Sequence, residues 1–243
     1  MRWLLTLALL ALMTWPAAAQ ENEAEKLFRS MEQKVRSAKT LQFRFDGTIT
    51  AITPAGPKKS NVKGTMILAD GDKLRVEGEG NSPEEESKMT VVSDGTDMKS
   101  FGYVQAPGQP KREMNSTEKS PKGVGTYYRS ALPRHGLFVS FLNVDQRSDF
   151  AADSFELSDF KLAGKEKIGE QNTQVIQYTI TAKEKGKDKA PTALSMKVWL
   201  DAKTNLPVKM AVTGGRSGIT EFTETNSEFI IDAKVNVKLF ELP

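Results

Sequence analysis

Two-residue alternation of apolar side chains dominates this chain and is sharpest over residues 194–212. Leu194, Met196, Val198 and Leu200 share one phase, and Leu206, Val208, Met210 and Val212 share one after the intervening turn. Successive strand side chains point to opposite faces, so each run builds one apolar face. Residues 201–205 carry turn chemistry, with Asn205 suited to a left-handed backbone position. The stretch predicts an antiparallel hairpin with one apolar and one mostly polar face. What that apolar face meets is the functional question.

The same alternation recurs along the chain. Ala24, Leu27, Phe28, Met31, Val35 and Ala38 first recur at helical spacing, which predicts an amphipathic helix of about four turns. A half-buried strand follows over 41–51, with Leu41, Phe43, Phe45, Ile49 and Ala51 alternating with polar residues. Residues 54–61 read as a polar loop. Strands are expected at 62–69 and 73–78 around Asp70-Gly71-Asp72, and at 88–93 and 97–103 around Asp94-Gly95. Residues 104–126 read as a long loop rich in Pro, Gly and Lys. Two short helices are expected between 127 and 143, broken at Pro133 and Gly136. Strands resume at 155–162 and 175–182, and a basic excursion spans 183–191. After the hairpin come strands at 219–225 and 228–231, then a tail from 235 to 243.

The N-terminus reads as a targeting segment. Arg2 is a positive start, Trp3 to Trp15 is a short apolar run, and Ala17-Ala18-Ala19 fits a small-residue cleavage site. Residues 1–19 are expected to be a cleaved signal peptide and 20–243 a single exported, soluble domain in the periplasm. The chain has 243 residues, a net charge of +3, one histidine and no cysteine. The mild charge without a basic stripe argues against nucleic acid. Absence of cysteine removes disulfides, thiolate catalysis and zinc–thiolate sites.

Roughly ten strands spaced about 4.8 Å apart make a sheet about 48 Å wide. A helix covers a stripe about 10 Å wide. Two or three short helices therefore cannot cover a flat apolar face of that width. The sheet folds into a packed sandwich, or it curls around a lined space that helices partly plug. Met66, Met89, Met98, Met196 and Met210 fall in predicted strands. Flexible thioethers suit surfaces that accept varied apolar partners, and equally suit gap filling in a core.

Catalytic signatures are sparse. His135 sits in a connector, Leu-Pro-Arg-His-Gly-Leu, with no nucleophile elbow elsewhere to serve. Glycines 78, 80, 123 and 125 make no phosphate-binding fingerprint. Carboxylates at 70, 72 and 84–86 lie in turns, where solvation explains them. Trp199 occupies the otherwise polar phase of its strand, so it packs on the outer face or marks a contact surface.

Several segments in order carry a family resemblance. They are Thr40-Leu41-Gln42-Phe43-Arg44-Phe45 after the helix, Gly64-Thr65-Met66-Ile67-Leu68, Lys73-Leu74-Arg75-Val76, and Val91-Val92-Ser93-Asp94-Gly95-Thr96. Val198-Trp199-Leu200-Asp201, Thr204-Asn205-Leu206-Pro207 and the terminal Phe240-Glu241-Leu242-Pro243 follow. Together the chain resembles a divergent member of the periplasmic outer-membrane lipoprotein carrier (LolA-like) superfamily. The resemblance implies a mainly β (α+β) fold: a strongly curved antiparallel sheet or unclosed β-barrel, with an N-terminal helix and short lid helices over its concave face. It implies a non-enzymatic carrier, without cofactor or metal, that shields acyl chains of a lipoprotein or other lipid during transit. Membrane-bound loading and acceptor proteins are the implied partners, and a monomer is expected. The alternative is a sensor module on the same fold that recognises lipoproteins or an envelope protein. One departure stands out. Where carriers of this family have a Lys-Arg-Pro lid latch, this chain has Ala69-Asp70-Gly71.

The nominated cavity lining is Phe43, Phe45, Ile49, Met66, Leu68, Leu74, Val76, Met89, Val91, Met98, Met196, Val198, Met210 and Val212. Leu137, Phe138, Phe141 and Leu142 are the nominated lid.

Overall fold

A computed structural model describes residues 22–142, 155–182, 193–214 and 219–243, with backbone alone at 137–142, 182 and 219–220. The expected signal peptide and the basic 183–191 excursion lie outside the described residues. Helix α1 (Glu23–Ser37) begins where Asn22 accepts a hydrogen bond from the Glu25 amide, and it buries Phe28, Met31 and Val35. The strands are β1 (Leu41–Thr53), β2 (Gly56–Ala69), β3 (Lys73–Asn81), β4 (Glu86–Asp94), β5 (Asp97–Gln105) and β6 (Arg112–Lys119). After helix α2 (Val124–Leu142) come β7 (Phe155–Ile168), β8 (Gln171–Ala182), β9 (Ala193–Asp201), β10 (Pro207–Thr213) and β11 (Ile219–Ile231). A short 3-10 turn at Val237–Phe240 ends the chain.

All eleven strands join one antiparallel, curved, unclosed sheet in the order β6-β5-β4-β3-β2-β1-β11-β10-β9-β8-β7. It is two meanders, β1–β6 and β7–β11, joined in the middle by β1 pairing with β11. The edges are β6 and β7, which are also the elements that α2 connects. The connection has to travel from one edge to the other, and α2 does so over the concave face, touching β3 on one half and β10 on the other.

Three expectations about elements need correction. Most of the 54–61 loop is strand: residues 56–61 pair with 48–53 as a polar extension of the β1–β2 hairpin. The 104–126 loop contains β6, whose side chains are nearly all exposed. It has no apolar phase because it buries neither face, and its charges suit an unpaired edge. The two strands at 219–225 and 228–231 are one, β11, with a bulge where Glu228 takes φ 54°.

The expected helix break lies at Gly136, with φ 76° and ψ 176°, while Pro133 is accommodated inside the helix. That backbone conformation is open essentially to glycine alone. Polar contacts tie the β2–β3 turn and α1 to α2. Asp72, from the β2–β3 turn, accepts hydrogen bonds from the Gly123 amide at 2.7 Å and the Gly125 amide at 3.1 Å, so its carboxylate meets the start of α2. Arg129 on α2 donates to the carbonyls of Ala38 and Lys39, at 2.9 and 2.8 Å. Burial pushes its guanidinium pKa down, against the opposing pull of Asp70 and Asp72. Arg134 pairs with Glu32 of α1 at 2.5 Å.

The Leu194–Val212 hairpin forms as expected. Asn205 takes φ 54°, and Asp201 Oδ1 accepts from the Lys203 and Thr204 amides and the Thr204 hydroxyl. Burial raises the Asp201 pKa, but these hydrogen bonds outweigh it and hold the carboxyl below its ordinary value. Lys34 of α1 donates to the Thr204 carbonyl, which ties the hairpin tip to the helix. On the convex face Trp199 is buried by packing rather than by a helix. Its indole N–H donates to Glu166 at 2.8 Å, and Lys209 lies 4.7 Å above the ring. The C-terminal turn covers β3 and β4 from that side. It buries Phe240 and accepts a hydrogen bond from Arg75 at the Leu239 carbonyl.

Gly136→Ala should lower stability by about 1–3 kcal/mol by forcing an L side chain into the ψ 176° kink. Urea denaturation is the check; an unchanged midpoint would contradict the kink.

Candidate functional site

The sheet registers place the nominated lining on one face. Across the first meander the aligned rows are Leu41–Leu68–Leu74–Ser93–Met98, then Phe43–Met66–Val76–Val91. Next comes Phe45–Gly64–Gly78–Met89–Gly102. In the second meander Tyr178–Met196–Val212–Phe222–Ile49 and Ile176–Val198–Met210–Glu224–Gly47 align. Cross-strand partners share a face, so these rows form the concave surface.

The structure divides that surface in two. Phe43, Met66, Leu68, Leu74, Val91, Met98, Met196, Val198, Met210 and Val212 are buried in a core cluster. The cluster also contains Phe28, Met31 and Val35 of α1 and Val124, Tyr128 and Leu132 of α2. Ile49 is half-buried against it. Phe28 meets Tyr178 at 4.7 Å and Phe160 at 5.2 Å between ring centroids, which seats α1 over β7 and β8. Phe45 and Val76 belong to the same buried cluster and, with Met89, also border a partly open hollow of about 190 Å³ whose lining includes no residue of α1. Met89 is 39 % exposed at its rim. Leu137, Phe138, Phe141 and Leu142 fall on the α2 backbone beyond the Gly136 kink, and their side chains lie outside the described residues.

The rest of the lining was not nominated from sequence: Gly47, Val62, Gly78, Glu79, Gly80, Ser87, Phe222 and Glu224. Glycines mark where the sheet presents bare backbone. At Gly64 a Cβ would come within 2.6 Å of the Phe45 ring and 2.0 Å of the Glu77 carbonyl, so that ring lies directly on the strand. Gly78 is different, since a Cβ there would have no neighbour nearer than 3.9 Å. It faces open space. The alternation Phe222-x-Glu224-x-Asn226 was the available signal for the polar part of the site. It places a carboxylate and an amide on the same phase as a core phenylalanine.

A larger hollow of about 480 Å³ lies among Asp46, Lys63, Glu79 and Lys88. Its charges are engaged, Glu79 with Lys88 at 3.0 Å and with Lys63 at 3.5 Å. The hydrogen bond from Lys88 is the main cause that holds the Glu79 carboxyl below its ordinary pKa. That charged groove is the poorer match for an apolar ligand. Among the described residues no group of His, Cys, Asp or Glu could hold a metal ion, and no helix is long and apolar enough to cross a membrane.

Residues 24–242 match the model of a family described as a predicted periplasmic protein (DUF2092). The chain belongs to that family. Solved structures to which it is similar include LprF from Mycobacterium bovis, at 13 % identity with 88 % of this chain and 95 % of that one covered, TM-score 0.48. Mycobacterium tuberculosis lipoprotein LppX is similar at 13 % identity over 87 % and 96 %, TM-score 0.45. A LolA superfamily protein from Nitrosomonas europaea is similar at 9 % identity over 90 % and 97 %, TM-score 0.36. No curated protein matches the sequence.

His135 is buried beside Phe155, at 5.6 Å between ring centroids. Burial is the main cause that pushes its pKa down from 6.5 to about 4, so the folded protein holds it neutral. The unfolded chain takes up that proton first. The stability it supports is complete above about pH 6.5 and is lost as pH falls toward 4. Between pH 7 and 4.5 the wild type should lose about 2 kcal/mol more stability than His135→Gln, read from urea denaturation at both pH values. Parallel losses would refute a neutral buried imidazole.

Proposed function

We propose that this protein is an exported carrier that shields an acyl chain of a lipoprotein or other lipid during transit through the periplasm. The observation that supports this reading is the apolar, partly open hollow in the concave face, walled by Phe45, Val62, Val76, Met89 and Phe222. The family's description as periplasmic agrees with it, as does the leader-like start of the chain. In this reading residues 1–19 are removed on export, and membrane proteins load and unload the carrier.

The size of the hollow bears on mechanism. About 190 Å³ is roughly six water volumes, room for a short length of one chain. Burying about six methylenes gives about 5 kcal/mol, which by itself corresponds to weak binding. Holding a full acyl chain requires more of the concave face. That face is covered by α1 and α2, and α2 is the element with a kink. Carriage therefore involves α2 swinging about Gly136, with Leu137, Phe138, Phe141 and Leu142 as the moving lid. Shielding a chain from water needs no catalytic group.

The test uses a fluorescent monoacylglycerol. The wild type should take it up, and Gly78→Leu, which has room for its side chain in the hollow, should bind at least about tenfold more weakly while melting normally. Absence of uptake by the wild type overturns the carrier reading.

A further inference from the structure

Three neighbouring cross-strand rows of the concave face differ sharply in bulk. The inner row, Phe43–Met66–Val76–Val91, consists of large apolar side chains and is buried in the core cluster. The middle row, Phe45–Gly64–Gly78–Met89–Gly102, has three glycines in five positions. The outer row, Gly47–Val62–Gly80–Ser87, is small as well. The hollow lies over the middle and outer rows, with Val76 of the inner row at its back.

Phe45 stands where the hollow ends and the core begins. Its ring rests on Gly64, where a Cβ would come within 2.6 Å of it. The tip of the ring reaches to 3.9 Å from the place a Cβ would take at Gly78. Phe45 is 6 % exposed, lines the hollow and belongs to the core cluster, and the Phe43 ring lies behind it at 6.4 Å between centroids. A chain entering from the Met89 rim runs over Gly80 and Gly78 and then meets this ring. A phenyl ring seated on backbone is a firm stop, whereas the neighbouring methionines have three rotatable bonds and adapt. No described residue of α1 or α2 lines the hollow, so a chain reaches the stop with both helices in place.

We propose that Phe45 is the chain-length gauge of this hollow. With the helices in place it admits one straight hydrocarbon chain to a depth of about seven carbons, the count that about 190 Å³ allows. The ligand it selects is a short single chain, or the methyl end of a longer one whose remaining carbons stay outside the Met89 rim. Each methylene that seats strengthens binding about fourfold, and each one beyond the gauge adds little. This rests on the carrier reading above and adds a length to its cargo.

The experiment is displacement of the fluorescent monoacylglycerol from the mature chain by 1-alkanols from butanol to decanol, each below its solubility limit. In the wild type, affinity should rise about fourfold per carbon and level off near about seven carbons. In Phe45→Ala, which opens the trough over Gly64 toward Phe43 and Met66, affinity should keep rising through decanol. Thermal melts establish folding. Phe45→Leu, a smaller loss of volume, carries the same comparison where Phe45→Ala does not fold, with the break moved out by about one carbon. A break that stays in place while every alcohol weakens together marks Phe45 as a core residue only. That result overturns the gauge and leaves the carrier intact, as does a wild-type affinity that climbs without a break. No uptake of the probe at all overturns both.

Discussion

Everything in this structure depends on hiding one wide apolar face from water. Eleven strands in a single sheet carry aligned rows of Leu, Phe, Met and Val on the same side. No pair of helices can blanket such a face if it lies flat. Curvature solves half of the problem by drawing the two halves of the face toward each other. Connectivity solves the other half. Because β1 pairs with β11 in mid-sheet, the chain leaves at the β6 edge and must return at the β7 edge. The connecting helix is obliged to cross the concavity. A covering element is therefore built into the topology, and it is anchored by polar contacts at Asp72, Arg129 and Arg134 rather than by apolar packing alone.

This division has an energetic logic. Under α1 and the first part of α2 the rows are packed as a core, with Phe28, Phe160 and Tyr178 stacked at one end. Beyond them, the Phe45 ring lies on Gly64, Val62 and Phe222 close over Gly47, and Gly78 alone of these three glycines leaves the wall bare. The hollow is where the strands stop supplying volume. Buried apolar contact holds the helices down and the charge-assisted hydrogen bonds fix their register.

Much of this was legible in the residues. Strand phase in β1, β2 and β3 was unambiguous because each has one more buried and one wetter face, which the two-residue period records directly. The Asn205 turn and the N-terminal helix were equally readable. The misread elements share a cause. β6 and the outer end of the β1–β2 hairpin bury almost nothing, so their strand character comes from backbone pairing, which leaves no apolar signature. The β11 bulge at Glu228 shifts the phase by one residue and makes one strand look like two.

The sequence by itself determined many strands with one apolar face each and a helical insertion too small to cover that face laid flat, because side-chain period and element length are local properties; that the strands join one curved sheet rather than a sandwich was decided by their tertiary pairing. Only the tertiary structure decided which of those apolar residues pack as core and which border open space. That depends on where α1 and α2 come to rest, a matter of contacts between residues more than a hundred positions apart, such as Asn22 with Phe160. It also decided that Glu224 and Asn226 face inward. In the sequence they are a carboxylate and an amide in an alternating strand; in the fold both are buried on the concave side, opposite Gly47 and Phe45.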